Sequence, residues 1–421
     1  KTMKKLVYCL LIAVLAACST PNEDKKDVST MSDDELRAYA DTLAHKFILT
    51  DGHVDLPYRM KVAGFILKKE IMDVSVRTPE GNFDYVRAKE GGLDAPMMSI
   101  YIPSSYGVTQ EAKDLADSLI GMVEKLTTTY PDKFALAKTP AAIEENFKAG
   151  LISLPMGMEN GAPLMEDLAN VAYFADRGIN YITLTHGKDN QICDSSYDTT
   201  YTWNGLSPFG EEVVKEMNKQ GIMVDISHVS DSTFYDVMAL TDVPAIASHS
   251  SCRYFTPGFE RNMSDEMIKM LGENGGVIQI NFGSSFLSGE VREKSEKVRE
   301  HMTNWLAENG LSYRDSTAQA YMKQYVADSA INLFATVGVV ADHIDHVVEI
   351  AGIDHVGLGS DYDGVGDSLP TGLKDVSEFP NLIYELLKRG YTEEDIAKIC
   401  YQNVFRVWNA VLDKSKELKG A

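Results

Sequence analysis

The sequence predicts an α/β fold, a (β/α)8 TIM barrel with helical insertions, and two observations carry that prediction. Short apolar runs bounded by turn residues recur eight times along the chain, each of strand length. Most are separated by segments with helical spacing of apolar residues, and strands alternating with helices run parallel. An open doubly wound sheet is the competing architecture. No G-x-G-x-x-G opens a helix after an early strand, however, and the EGG and NGG spots are isolated turn signals.

In chain order the predicted strands cover 46–50, 96–101, 151–155, 181–185, 222–226, 245–248, 277–280 and 356–359. Helical periodicity marks EAKDLADSLIGMVEKLTTTY from Glu111, APLMEDLANVAYFADRG from Ala162 and EEVVKEMNKQG from Glu211, where Gly221 reads as a C-cap. The stretch 281–355 is far longer than one crossover helix and contains VREKSEKVREHMTNWLAENG. It predicts a helical insertion between the last two strands, with a smaller one after the first. No second domain is needed, and residues 32–421 form the barrel.

Of 421 residues, 44% are hydrophobic and 24% charged, the balance of an ordinary globular protein. Forty basic against 62 acidic side chains give a net charge of -22. That charge repels phosphate backbones and anionic headgroups, so no nucleic acid partner is expected. At the N-terminal side, Lys4 and Lys5 precede the apolar run 6–17, which has the length of a signal-peptide core and is too short to span a bilayer. It closes in LAAC, which resembles the lipobox of bacterial lipoproteins. The resemblance implies removal of 1–17, lipidation of Cys18, a flexible tether over 18–31, and a lipid-anchored location in a bacterial cell envelope. The lipid is then the only membrane contact.

Beyond Cys18 only Cys193, Cys252 and Cys400 remain. Three scattered cysteines suit neither a disulfide framework nor a thiolate zinc site, so any metal must be held by histidine and carboxylate. Such residues stand where a barrel would use them. FILTDGHVDLP carries His53 and Asp55, two apart and so on the same side of an extended chain. LISLPMGMEN ends with Glu159, YITLTH with His186, IMVDISH with His228, PAIASH with His249, and HVGLGSDYDG with Asp361 and Asp363. Active sites of such barrels lie at the C-terminal ends of the strands, so these side chains converge on one mouth. Imidazole and carboxylate without thiolate suit Zn2+, Mn2+ or related ions, and there are enough ligands for two. Two such ions activate a shared water near neutral pH, which points to a metal-assisted hydrolase of a carbonyl or phosphoryl bond.

Together DGHVDLP, GMEN, LTH, GLSPFGEEVVKEMNKQGIMVDISHVS, PAIASHSS, RNMSDE and HVGLGSDYDG resemble the membrane (renal) dipeptidase family of binuclear zinc peptidases, in order from about residue 45 to 410. The resemblance implies that His53 and Asp55 hold one Zn2+, that His228 and His249 hold the other, and that Glu159 bridges them. It implies that His186 contacts the substrate carbonyl. It makes Asp361 the group that takes a proton from a bridging hydroxide and passes it to the leaving amine. Arg261 in RNMSDE would pair with the free carboxylate of a dipeptide, and the chain would form a homodimer. After Glu159 the chain reads NGAP, where many relatives have glycines and a histidine. An N-acyl amino acid amidohydrolase on the same barrel and a non-catalytic peptide-binding lipoprotein are the alternative functions. The segment ADHIDHVVEIAGIDH packs His343, His346 and His355 with three aspartates. Its position before and at the start of the last strand assigns it a structural role, away from the mouth.

Overall fold

The computed structural model describes residues 28–62, 72–313 and 315–420. The predicted leader and Cys18 lie outside them, as does most of the predicted tether, whose residues Val28–Thr30 form one 3-10 turn. Ser32 then opens the first helix, Asp33–Lys46, with a capping box in which Ser32 and Glu35 satisfy each other's backbone N–H groups.

Ten strands follow among the described residues: β1 (Leu49–Val54), β2 (Leu93–Tyr101), β3 (Phe134–Leu136), β4 (Ile152–Leu154), β5 (Met156–Glu159), β6 (Ile179–Thr183), β7 (Met223–Asp225), β8 (Ile246–Ser250), β9 (Val277–Ile280) and β10 (Val356–Leu358). Eight of them form one parallel sheet in the order β1-β2-β5-β6-β7-β8-β9-β10. The sheet closes on itself: Asp55 N–H donates to Tyr362 O at 2.9 Å and Asp361 N–H to His53 O at 3.1 Å. Asp51 secures the seam, accepting from Ser360 N–H at 2.8 Å and from the Ser360 hydroxyl. The predicted (β/α)8 barrel is therefore the fold, with one correction at the third strand. Residues 152–154 pair with β3 in a separate two-stranded sheet, and the barrel strand is the next four residues, Met156–Glu159. Pro155 separates the two runs, and the glutamate rather than the leucines identifies the barrel strand. The first strand also runs further than predicted, so His53 lies within β1.

Interior packing explains why the strands tolerate small residues. A Cβ on Gly157 would lie 2.0 Å from the Tyr181 ring, which is fully buried inside the barrel. Gly157 thus makes room for an aromatic side chain that would otherwise not fit. The opposite, N-terminal face is plugged by the last helix, Asn403–Gly420, whose Val407 and Trp408 pack with Met97, Met223, Ile246 and Val277. The predicted insertion between the last two strands contains helices Gly289–Asn309 and Ser316–Asp328, held by their own small cluster around Val298, Met302 and Leu306. Gly221 is the predicted C-cap, in the left-handed region at φ 82°.

Candidate metal centre

Each strand-end residue singled out above arrives at the same mouth. His53 and Glu159 sit inside the last turns of β1 and β5, and His249 inside β8, while Asp55, His186, His228 and Asp361 stand just past their strands. Glu159 is the hub. Its Oε2 lies 3.4 Å from His53 Nε2, and its Oε1 lies 3.1 Å from His228 Nε2, 3.3 Å from His249 Nε2 and 3.7 Å from His186 Nε2. Asp55 Oδ2 is 3.6 Å from His53 Nε2. Three overlapping groups could each hold an ion: His53, Glu159 and His249; Glu159, His186 and His228; His53, Asp55 and Asp361. All share one small volume, and no other such group occurs among the described residues.

Two of these residues reach the mouth by unusual backbone. His228 has φ 69° and Asp361 φ 63°, in the left-handed region that side chains rarely adopt. Such residues cost of order 1–3 kcal/mol and persist where the surroundings hold them. Around His228, its own carbonyl accepts from Ser196 N–H at 2.8 Å. Asp361 is held on its other side by Asn281, whose amide donates to Oδ2 at 2.8 Å. Oδ1 faces Gly364, where a Cβ would lie 2.1 Å from Asp361 Oδ1 and 2.2 Å from Asp55 Oδ2. The space between the two carboxylates is open only because residue 364 has no side chain.

The electrostatics are those of buried groups acting on one another: burial pushes the His53 imidazole down, but Tyr181, Glu159 and Asp55 outweigh it and hold it well above the ordinary histidine value. Burial pushes the Glu159 carboxyl up, but His53, His186 and hydrogen bonds from His228 and His249 outweigh it and hold it well below the usual range. Burial drives His228 and His249 well below the ordinary histidine value, and His186 below it. Burial raises Asp361 to about 7, opposed by His53 and reinforced by Asp55 and Glu159. Buried His53 Nε2, Asp55 Oδ1, and the Nδ1 atoms of His186 and His228 have no hydrogen-bond partner. Unpartnered buried polar atoms are costly in an ordinary interior. Imidazoles, three of them held neutral by burial, together with carboxylate oxygens and orphaned buried atoms gathered around one carboxylate, are the donor set of divalent-cation ligands, and the residues fit such ions.

The remaining predicted residues fall where their surroundings can be read. Arg261 is 3% exposed and lies behind the centre, donating from Nη1 to Ser250 Oγ at 2.7 Å and from Nη2 to His249 O at 2.8 Å, with Nε unpartnered. His186 is the most open of the four histidines at the centre, its ring edge-on to Tyr101 at 4.9 Å. The centre opens into a cavity of about 890 Å³ whose walls include Tyr58, Tyr101, Phe286 and, from the polar loop after His186, Tyr197. Asp363 is buried against Arg59 at 2.7 Å and Asn82 N–H at 2.6 Å, outside the three groups that could hold an ion. His343 Nδ1 accepts from Cys252 N–H and its Nε2 donates to Leu287 O, both at 3.0 Å. His346 pairs with Asp265 at 2.9 Å and His355 bonds Gly276 O at 2.8 Å, so the histidine-rich segment is structural, as predicted. Tyr181, Asp225, Ser248 and Asn281 went unrecognised in the sequence. A polar residue in an otherwise apolar barrel strand was the available signal.

An eight-stranded parallel barrel with imidazoles and carboxylates gathered at the C-terminal mouth defines a metal-dependent hydrolase. Comparison with known proteins agrees and narrows the class. The model of the membrane dipeptidase family, peptidase family M19, matches residues 37–421. An uncharacterized dipeptidase of Schizosaccharomyces pombe is 30% identical over 381 residues, covering 87% of this chain and 81% of that protein. The probable dipeptidase PvdM from Pseudomonas aeruginosa superposes with a TM-score of 0.75 at 25% identity, over 90% of this chain and 99% of that one. A metallopeptidase from Rhodobacter sphaeroides, solved with a phosphinate mimic of the dipeptide L-Ala-D-Ala, shares the fold at TM-score 0.69 and 23% identity, over 87% and 99%. The chain belongs to the membrane dipeptidase family and is a metallodipeptidase.

Proposed function

We propose that the protein is a zinc-dependent dipeptidase that hydrolyses the peptide bond of free dipeptides with two ions at the Glu159 centre. The observation that carries this reading is the convergence of four imidazole nitrogens on the two oxygens of one buried carboxylate, Glu159. His53 and Asp55 would hold one ion, His228 and His249 the other, with Glu159 shared. When bound, two divalent ions supply Lewis acidity and a water made nucleophilic near neutral pH. Asp361 receives the proton of the attacking water on Oδ1, the oxygen not engaged by Asn281, and passes it to the leaving amine. A carboxyl raised to about 7 suits both halves of that transfer. His186, neutral through burial and open to the cavity, donates an N–H to the carbonyl oxygen as charge develops there. Arg261, buried behind the centre with its Nε unpartnered, would pair with the substrate carboxylate, which favours a free dipeptide over a longer chain. The dipeptide mimic carried by the Rhodobacter relative supports the same substrate class.

Location and assembly belong to the same reading: lipidation at Cys18 anchors the enzyme in a bacterial cell envelope, and two chains associate as a homodimer. No described helix is long and apolar enough to cross a membrane. The deciding experiment is amino acid release from matched free, N-acetylated and C-terminally amidated dipeptides by zinc-loaded protein. Cleavage of the free set alone is the expected result. Turnover of the acetylated set would make the enzyme an amidohydrolase, and zinc binding without turnover would make it a binding protein. Palmitate labelling of the wild type, lost in Cys18→Ala, checks the anchor.

A further inference from the structure

We infer that Ser248 and Asp225 are positioning residues that fix the tautomer of His249, holding its proton on Nδ1 so that Nε2 faces the centre with a free lone pair. The inference rests on the metallodipeptidase reading, in which His249 is a ligand.

The argument is a count of hydrogen-bond donors. Asp225, at the end of β7, is wholly buried. Its Oδ1 accepts the backbone N–H groups of Ser227 at 3.0 Å and Ser248 at 2.8 Å. Its Oδ2 accepts the Ser248 hydroxyl at 2.6 Å and the Thr183 hydroxyl. Four donors fill both oxygens, so the single Ser248 hydroxyl proton is committed to Asp225. Ser248 Oγ also lies 2.7 Å from His249 Nδ1 and has only lone pairs left to offer it. Nδ1 must therefore carry the proton. The freed Nε2 faces His228 Nε2 at 2.9 Å and Glu159 Oε1 at 3.3 Å, where only an atom without a proton is useful as a ligand.

His53 is backed in the same sense by a different group. Tyr181 O–H donates to Gly52 O at 3.1 Å, and its oxygen faces His53 Nδ1 at 2.8 Å. His228 Nδ1 has no such partner. Outer partners of this kind orient ligand histidines and tune their basicity. Here the chain uses a phenol for one histidine and a hydroxyl relayed to a carboxylate for another.

Asp225→Asn tests the relay by reversing its polarity at constant shape. The two backbone N–H groups keep the amide oxygen at the Oδ1 position, so the new NH2 points at Thr183 and Ser248. Ser248 must then turn its hydroxyl proton toward His249 Nδ1, and the imidazole proton moves to Nε2. The readouts are zinc retained per full-length chain against a competing chelator and 15N NMR of histidine-labelled protein. Wild type is expected to keep both ions with the His249 proton on Nδ1. Asp225→Asn is expected to lose about 10–100-fold in affinity for one ion, with the proton on Nε2. Ser248→Ala should weaken retention less, and Ser248→Thr should restore it. Wild-type retention and an Nδ1 proton in Asp225→Asn would overturn the relay alone. If that variant does not fold, equal retention by Ser248→Ala and Ser248→Thr would overturn it instead. A wild-type chain that binds no zinc would overturn the metal reading itself, and the relay with it.

Discussion

Glu159 is the residue on which the centre depends, because four imidazoles are arranged around its two oxygens. Glu159→Gln keeps the shape and removes the charge, and should lower zinc affinity and kcat/KM by at least about 100-fold, measured by chelator competition and dipeptide turnover. Gly364 makes a sharper test. Its missing Cβ leaves open the gap between Asp55 and Asp361, so Gly364→Ala should cost about 100-fold in kcat/KM while the melting temperature stays within a few degrees. A comparable loss of stability would show that the glycine serves the fold instead. The proposed ligands stand out in the sequence because histidine and glutamate after an apolar run are conspicuous. Ser248, Tyr181 and Asn281 do not, because their roles appear only when a neighbouring strand supplies the partner.

At the scale of elements, β2 shows how a local irregularity is secured. The β1–β2 register shifts between Leu49 and Thr50, leaving Asp94 as the extra residue of a bulge. Its carboxylate accepts Leu49 N–H at 3.2 Å in place of the interrupted ladder. Burial raises Asp94 to about 7, with Lys89 and His45 opposing. A folded value above the unfolded one means that the protonated acid favours the fold, and that this advantage is lost as pH rises through 7. Asp94→Asn should therefore match wild type near pH 4 and gain about 1–3 kcal/mol above pH 7, read from urea unfolding at both pH values. At the far face, Trp408→Ala removes the main plug beneath the barrel and should cost about 3–5 kcal/mol in the same assay. The misplaced third strand has a simple origin. ISL and MGME are both short buried runs separated by one proline, and periodicity alone cannot say which of them belongs to the barrel.

For the whole molecule, the alternation of strands and helices was enough to give the barrel, the insertion before the last strand and the face on which the ligands meet. What alternation could not supply was closure, which depends on Asp51 reaching across the seam to Ser360. Metal removal should be felt by the entire barrel, since an ion that binds only the folded chain stabilises it by about 4 kcal/mol at a thousandfold excess over its Kd. Chelation should lower the melting temperature by several degrees, and added zinc should restore it. A melting curve indifferent to chelator would argue against ions bridging the strands.

The seam has a consequence in time as well as in space. His53 is among the first strand residues to be synthesised and Asp361 among the last, and Asp361 N–H bonds directly to the His53 carbonyl. A nascent chain therefore carries half a pocket until its final strand is made. All five proposed ligands are made by residue 249, while the carboxylate proposed to move the proton arrives only with the last strand, so a truncated product lacks the group that completes the chemistry.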